Sequence, residues 1–335
     1  MGTIIAQGDR VSIAHAEKRV SARTLSSIVF SCLSTAYWFH GLTCHSKRGG
    51  YNGCAPRHER RRGYLATWGV RLRASSVIAF VISLLVQVGY PLAVTLYYRR
   101  RTRAPWAVFA YGALIFAAFQ LLTWLPLSVY LDAVIGSHLN TEIRAFIWMW
   151  ALALMTSLVE ESGRWWGYKF LFPRGAHKFT WRNGVMYGLG HGSLETMLLL
   201  AGLTFIYFAA YLVLSRLDLN LLTQSLGAEA SPAMRETLRS IVNTSWEQPI
   251  LVALERVLAL PHQVAWSLLV MESMVYRQKR WFGFAVLYHS SVAVIVPGLA
   301  RLLGLAAAEG VNAALALFSL WIIFRLRAVS HEGES

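Results

Sequence analysis

The chain has 335 residues and a net charge of +15, with 56% hydrophobic and only 15% charged residues. Soluble globular domains contain about a quarter charged residues, and the apolar residues here form long blocks that are typical of membrane-spanning helices. This composition excludes an ordinary soluble protein and predicts an all-α, polytopic bundle of transmembrane helices.

Residues 1–73 are interpreted as a basic N-terminal tail, either disordered or a start-site artefact. They carry twelve Lys/Arg and three Asp/Glu, a net +9, so most of the excess charge lies outside the apolar blocks. Cys32, Cys44 and Cys54 also lie there, in a spacing that matches no metal or disulfide framework. A basic tail can bind anionic lipid or nucleic acid, but we expect no nucleic-acid partner.

Seven spans are predicted within a transmembrane domain at 74–325, and residues 326–335 are expected to form a cytoplasmic tail. The loops on one side of the membrane hold 14 Lys/Arg and those on the other hold 5, which predicts that the first side is cytoplasmic. The spans are expected near 74–98, 105–129, 143–161, 183–214, 249–272, 281–300 and 302–324.

The long loop between the fourth and fifth spans contains the stretch SPAMRETLRSIVN. Ser231 is a candidate N-cap, and Pro232 is suited to the first helical position. The stretch therefore predicts a short amphipathic helix on the outer surface.

Two glutamates and an arginine close the third span. On a helix, Glu160 and Arg164 are four residues apart and Glu161 and Arg164 are three apart, so they are neighbours. One carboxylate can pair with the guanidinium, which leaves the other free to act as a general base. The alternative is an interfacial charge cluster that ends the helix.

The fourth span contains a histidine among small residues, in the stretch YGLGHGSLE. His191 and Glu195 are predicted to share a face, which would fix the tautomer of a histidine that binds a ligand or carries protons. Gly188, Gly190 and Gly192 would allow a helix or a substrate backbone to approach closely. The alternative is a packing stripe with a buried structural histidine.

Two more histidines lie within apolar spans. In the fifth span, Glu255 and His262 lie two turns apart on one face, and Arg256 follows Glu255 near the outer end. Pro261 frees a backbone carbonyl beside His262 and is expected to kink the helix. His289 lies in the sixth span. Either histidine could instead make a structural hydrogen bond.

The predicted orientation places the ionisable groups at one depth. Glu160, Glu161, His191 and His289 lie within about ten residues of the cytoplasmic boundary, where the helical rise is about 1.5 Å per residue. We therefore predict one site near the cytoplasmic face, with His262 somewhat deeper. Two chemistries fit: zinc held by His191, His262 and His289, or water activated directly by a glutamate and a histidine.

Motifs that would indicate other classes are absent. The chain has no HExxH, GxSxG or GxxxxGK[ST] and no aspartate-rich prenyl-diphosphate motif, which weakens the interpretations as a common soluble hydrolase, an ATPase or a prenyltransferase. Transporters usually show internal repeats, and none is evident here. These absences favour a membrane-embedded water-activating enzyme.

Four stretches resemble, in order, the motif blocks of the YhfC family of intramembrane metalloproteases. They are EESGR, YGLGHGSLE, LERVLALPH and the histidine of LYHSS, and the resemblance covers about 75 to 325. That family is related to the CAAX prenyl endopeptidases and the bacteriocin-processing membrane proteases. The resemblance implies a peptidase domain within a helix bundle.

The resemblance also implies roles for individual residues. In the broader superfamily a glutamate pair is followed by an arginine, which Glu160, Glu161 and Arg164 match. An aromatic residue precedes a histidine in the second motif, which Tyr187 and His191 match. By this analogy Glu160 would activate water with His191, while Glu161 and Arg164 would hold the helix end in place.

The third motif is matched only in part. His289 matches its histidine, which would stabilise the oxyanion, but the Asn or Asp expected four residues later is Ala293. Ser290 or His262 is the candidate replacement for that missing polar partner.

The sequence thus predicts an intramembrane endopeptidase, of glutamic or metallo type, with zinc as the candidate cofactor. Its expected partners are the lipid bilayer and a membrane-embedded or lipid-anchored peptide or protein substrate, in a prokaryotic plasma membrane. The alternative is a non-enzymatic membrane protein: a proton- or metal-coupled transporter, or an immunity or scaffold protein derived from a protease. Ala293 favours this alternative.

Overall fold

A computed structural model describes residues 72–139, 141–217 and 232–332. These residues form helices and turns without a strand, which confirms the all-α class. The N-terminal tail up to residue 71, with its cysteines, and Ser231 lie outside the described residues. The predicted C-terminal tail begins within a helix that continues to Glu332.

Eight helices of more than ten residues follow one another along the described ranges, two of them contain a π-turn, and a third π-turn leads into a short helix at Phe172–Arg174. The helices are α1 (Ala74–Thr102), α2 (Trp106–Val134), α3 (Glu142–Trp166), α4 (Trp181–Leu214), α5 (Pro232–Val242), α6 (Glu247–Val275), α7 (Lys279–Leu303) and α8 (Leu305–Glu332). The π-turns are Phe116–Trp124 in α2, Gly167–Leu171 directly after α3 and Glu195–Leu200 in α4.

Local sequence explains several helix boundaries. The side chain of Thr141 accepts a hydrogen bond from the Arg144 amide at the start of α3, and Thr180 caps Asn183 in the same way at the start of α4. Gly304 separates α7 from α8 at a φ of 90°. A residue with a β-carbon rarely adopts that conformation, so glycine is favoured at this position.

Five helices are long and apolar enough to cross a membrane: α1, α2, α4, α7 and α8 up to Arg327. Of the seven predicted spans, the other two correspond to α3 and α6, which carry many of the polar groups described below. Large apolar side chains cover the outside of the bundle; Leu85 is 67% exposed and Leu122 73%. Such a surface suits lipid rather than water, and the protein is an integral membrane protein.

The predicted amphipathic segment is helical, as α5. The long fourth span is a single continuous helix, α4, of 34 residues. Pro261 lies inside α6, and the helix continues through it.

The core of the bundle is built around α4 and α6. Every residue from Asn183 to Ser193 in α4 is buried, and so is every residue from His262 to Ser273 in α6. A helix that is buried on all sides occupies the centre of a fold. Here α6 packs against α1, α3, α4, α7 and α8, so a polar side chain on its buried segment faces protein.

Glycines allow α4 to approach its neighbours closely. Gly190 lies directly against the carbonyl oxygen of Phe109 in α2, and Gly112 of α2 lies against the backbone of α4. On the opposite side, a β-carbon at Gly188 would lie 2.7 Å from the Cα atom of Val264 in α6. The glycine stretch therefore brings α4 into backbone contact with two helices.

Gly190→Ala is expected to destabilise the protein by about 1–3 kcal/mol, the usual cost of overpacking a core. The new methyl group would overlap the Phe109 carbonyl oxygen, which is part of the backbone and cannot rotate away. Thermal unfolding in detergent measures the effect. Gly202→Ala in the same helix is the control, because no atom lies within 4 Å of its added methyl group. Equal melting temperatures for the two variants would contradict the close packing.

Candidate active site

A fully buried arginine lies at the centre of the polar cluster. Arg164, near the end of α3, is 0% exposed, and its guanidinium donates to Glu161 and to the Gln263 side-chain oxygen. Its Nη2 lies 3.4 Å from Glu160 Oε2, and its Cζ lies 5.9 Å from the centre of the Trp266 ring. One cation therefore contacts two adjacent carboxylates inside the bundle.

Glu160 is the less constrained of the two carboxylates, and it faces His191 of α4. The distance from His191 Nε2 to Glu160 Oε2 is 3.4 Å. Among the described residues, neither ring nitrogen of His191 has a hydrogen-bond partner, although the side chain is buried. The edge of the ring meets Phe116 at 5.2 Å between centroids. A proton acceptor thus lies beside a histidine with free nitrogens.

Glu161 is held more tightly. Its Oε1 accepts from Arg164 and also from His289 Nδ1 of α7, at 2.8 Å. The His289 ring stacks on Trp266 of α6, with 3.8 Å between centroids and 11° between planes. Because a carboxylate only accepts hydrogen bonds, Glu161 fixes the proton of His289 on Nδ1.

A glutamine that the sequence analysis did not single out bridges three helices. The Gln263 amide oxygen accepts from Arg164, and its nitrogen donates to Glu195 Oε2 of α4. Glu195 also lies 3.8 Å from Arg256, which pairs with Glu255. The sequence feature that could have identified Gln263 is its position: it is a polar residue directly after His262, within an otherwise apolar run.

Tyrosines hold the end of α3 against α4 and α6. The Tyr187 hydroxyl donates to the Arg164 carbonyl oxygen at 3.3 Å, and the Tyr168 hydroxyl donates to the Ser267 carbonyl oxygen at 3.0 Å. The two rings lie 4.5 Å apart between centroids. Tyr187 therefore helps to position Arg164 through its backbone carbonyl oxygen.

His262 belongs to a second polar cluster. Its Nδ1 lies 2.8 Å from Ser319 Oγ and its Nε2 lies 3.4 Å from Asn312 Oδ1, both on α8. The Tyr288 hydroxyl completes this cluster, at 2.8 Å from Ser319. Both ring nitrogens thus face partners on α8, away from Glu160, Glu161 and His191.

Two expected contacts are absent, and the local geometry explains why. Glu195 does not hold His191: the helix widens into a π-turn at Glu195, whose carboxylate instead reaches Gln263 and Arg256. Ser290 does not take the place of the missing partner at Ala293, because its hydroxyl donates to the carbonyl oxygen one turn back in its own helix.

The donor set can be tested against a metal ion. Among residues 72–139, 141–217 and 232–332, no group of three or more His, Cys, Asp or Glu side chains is arranged to hold one. Of the three predicted zinc ligands, His289 bonds Glu161 and His262 bonds α8, which leaves His191 with both nitrogens unpaired. As arranged, these residues do not fit a closed three-ligand site.

The hydrogen bonds that Gln263 makes with Arg164 and Glu195 predict an energetic coupling between positions 195 and 263. Glu195→Gln removes the charge that faces Arg256, and Gln263→Glu places a second carboxylate beside Glu195, so each is expected to destabilise the protein. The double variant exchanges amide and carboxylate, so a hydrogen bond forms again between the two positions and Arg164 keeps an acceptor. We expect a favourable coupling free energy of about 0.5–3 kcal/mol between the two substitutions.

Melting temperatures of the wild type, both single variants and the double variant measure this coupling in detergent. The matched control combines Gln263→Glu with Glu309→Gln, which conserves net charge but places no amide beside position 263. Additive effects in the first pair would show that the bridge contributes nothing.

The model of the YhfC intramembrane metalloprotease family matches residues 82–308. A Bacillus subtilis (strain 168) protein named "Uncharacterized membrane protein YhfC" is 26% identical over 265 residues, which cover 78% of this chain and 96% of that protein. This bacterial relative indicates that the membrane is a prokaryotic plasma membrane. No solved structure matches the chain. The matched range includes Glu160, Glu161, His191 and His289, and the chain belongs to the YhfC intramembrane metalloprotease family.

Proposed function

We propose that the protein is an intramembrane endopeptidase that hydrolyses a peptide bond of a membrane-associated substrate. One observation carries the proposal: Glu160 lies beside Arg164 and His191 in the centre of the bundle, 3.4 Å from each. A buried carboxylate with a positioned histidine is suited to removing a proton from water. The family's description as metalloproteases supports peptide hydrolysis.

In the proposed reaction Glu160 accepts a proton from water while the water oxygen attacks the substrate carbonyl carbon. The resulting tetrahedral intermediate breaks its carbon–nitrogen bond, and Glu160 returns the proton to the departing amine. His191 orients the water through one of its free ring nitrogens. Arg164 and Glu161 hold this arrangement in place.

His289 is assigned to the oxyanion of that intermediate. Its Nδ1 proton is donated to Glu161, so Nε2 must carry a second proton to donate to the substrate oxygen. The Glu161 hydrogen bond and the stacking on Trp266 hold the ring in one orientation, and a preorganised donor of this kind is suited to an oxyanion.

The family's description implies a metal ion, and zinc remains the candidate cofactor. Because the described side chains do not form a three-ligand site, we assign proton transfer to Glu160 and orientation of the water to His191. Zinc content and activity of purified protein, with and without a chelator, test this assignment. Equimolar zinc whose removal abolishes cleavage would replace it.

The direct test uses vesicles that contain the full-length protein and a pool of membrane-spanning peptides. Mass spectrometry of new peptide termini should reveal cleavage by the wild type and none by Glu160→Gln. A non-enzymatic role would instead give identical peptide pools with both proteins and with empty vesicles.

A further inference from the structure

A cavity of about 660 Å³ opens between α3, α6 and α7, on the side toward the basic loops. The cavity is lined by Ser162, Trp165, Ser273, Met274, Arg277, Lys279 and Phe282. None of these residues belongs to the cluster around Arg164. The cavity therefore lies outside the site already described.

Helical spacing places the cavity directly beneath the candidate active site. Trp165 lies one turn after Glu161 on the same face of α3, because residues four apart are neighbours on a helix. On α7, Phe282 precedes His289 by two turns on one face. Ser273 likewise follows Trp266 by two turns on α6. Three helices thus connect the cavity lining to the site.

The cavity combines apolar walls with two exposed cations. Trp165, Met274 and Phe282 supply the apolar surface, and Arg277 and Lys279 supply the charge. Within the described part of the chain, neither cation has a carboxylate within ion-pair distance.

The position of Arg277 is conformationally unusual. It lies between α6 and α7 at a φ of 56°, a left-handed conformation that is uncommon for residues other than glycine. The short turn between α6 and α7 places Arg277 and Lys279 at the same edge of the cavity opening. A left-handed residue just after the last turn is a common way to end a helix, and here it directs the chain into α7.

We propose that this cavity admits the substrate peptide and that Arg277 and Lys279 bind a carboxylate on that peptide. The proposal rests on the proposed function, because lining residues of the cavity lie one to two helical turns from Glu161 and His289. A carboxylate matches the guanidinium and ammonium donors, and apolar residues of the peptide match the aromatic walls. The carboxylate can belong to an acidic side chain or to the C-terminus of the peptide.

A lipid headgroup is the competing anion at a membrane surface. It fits this cavity less well, because a lipid phosphate needs only surface cations and no proximity to the candidate active site. Trp165 and Phe282 lie on the helix faces that carry Glu161 and His289, one and two turns away. This proximity favours a peptide.

Labelling of one cysteine tests the proposal without requiring turnover. The full chain carries Cys32→Ser, Cys44→Ser and Cys54→Ser, together with Glu160→Gln and Met274→Cys. This leaves a single thiol in the cavity, and the rate at which a maleimide labels it in phosphatidylcholine vesicles reports how far the cavity is occupied.

Three apolar peptides are compared: one with a free C-terminal carboxylate, one amide-capped with an internal glutamate, and one amide-capped and uncharged. We expect half-maximal protection by a carboxylate-bearing peptide at a concentration about ten-fold lower than by the uncharged one, as for one added charge-assisted hydrogen bond. The first two peptides distinguish a terminal carboxylate from a side-chain carboxylate.

Arg277→Gln with Lys279→Gln should abolish this ten-fold difference, whereas Arg280→Gln, a neighbouring cation outside the lining, should preserve it. Equal protection by all three peptides would overturn the proposal, and so would protection by phosphatidylglycerol alone. Because Glu160→Gln cannot turn over, charge-dependent protection without any cleavage by the wild type would refute the peptidase assignment and leave the peptide site standing.

Discussion

Glu160→Gln is expected to lower the rate of peptide hydrolysis by about 10²–10⁴-fold, the usual contribution of a general base. The amide has the size of the carboxylate but cannot accept a proton from water. Arg164 keeps its contacts with Glu161 and Gln263, so the fold should persist. Cleavage by matched vesicle preparations, normalised to folded protein, measures the effect.

Glu309→Gln provides the control for this substitution. Glu309 is also buried, at 6% exposure, and lies in α8 beside Asn312, away from the candidate active site. Its activity should therefore stay within a few-fold of the wild type. Full activity in Glu160→Gln would remove the assigned role, whereas equal losses in both variants would point to a general effect of deleting buried charge.

Arg164→Met should be the most destabilising substitution, at about 3–5 kcal/mol, because it leaves buried carboxylates without their cation. Glu160 and Glu161 are 4% and 0% exposed, so water cannot replace the guanidinium. Gln263 would also lose its hydrogen-bond donor. Thermal unfolding in detergent should show the largest loss among single variants of this cluster.

A second variant separates charge from packing. Adding Glu160→Gln and Glu161→Gln to Arg164→Met gives a neutral cluster of similar volume, which should recover most of the lost stability. Arg280→Met, which replaces an exposed arginine in the first turn of α7, should change stability little. A melting temperature of Arg164→Met equal to that of the wild type would contradict the central position of this ion cluster.

The helices could be predicted because each has its own local sequence pattern. Long apolar blocks predicted the membrane helices, and Ser, Pro and amphipathic spacing predicted α5. Ion pairs could be predicted only within one helix. Glu160, Glu161 and Arg164 lie within about one turn of α3, so their contacts follow from helical geometry. Where the helix changed its period at Glu195, the same reasoning gave the wrong partner for His191.

The sequence by itself determined the class of the protein, a helical membrane bundle, and marked the residues whose charge is costly inside it. Only the tertiary structure decided which of them meet. Gln263 joins Arg164 to Glu195 because α6 is buried between α3 and α4, while His262, its neighbour in sequence, turns toward α8. The apolar periodicity of a helix is a property of its own segment of sequence. The rotation and depth of one helix against another instead depend on packing, including the glycine contacts of α4 with α2 and α6.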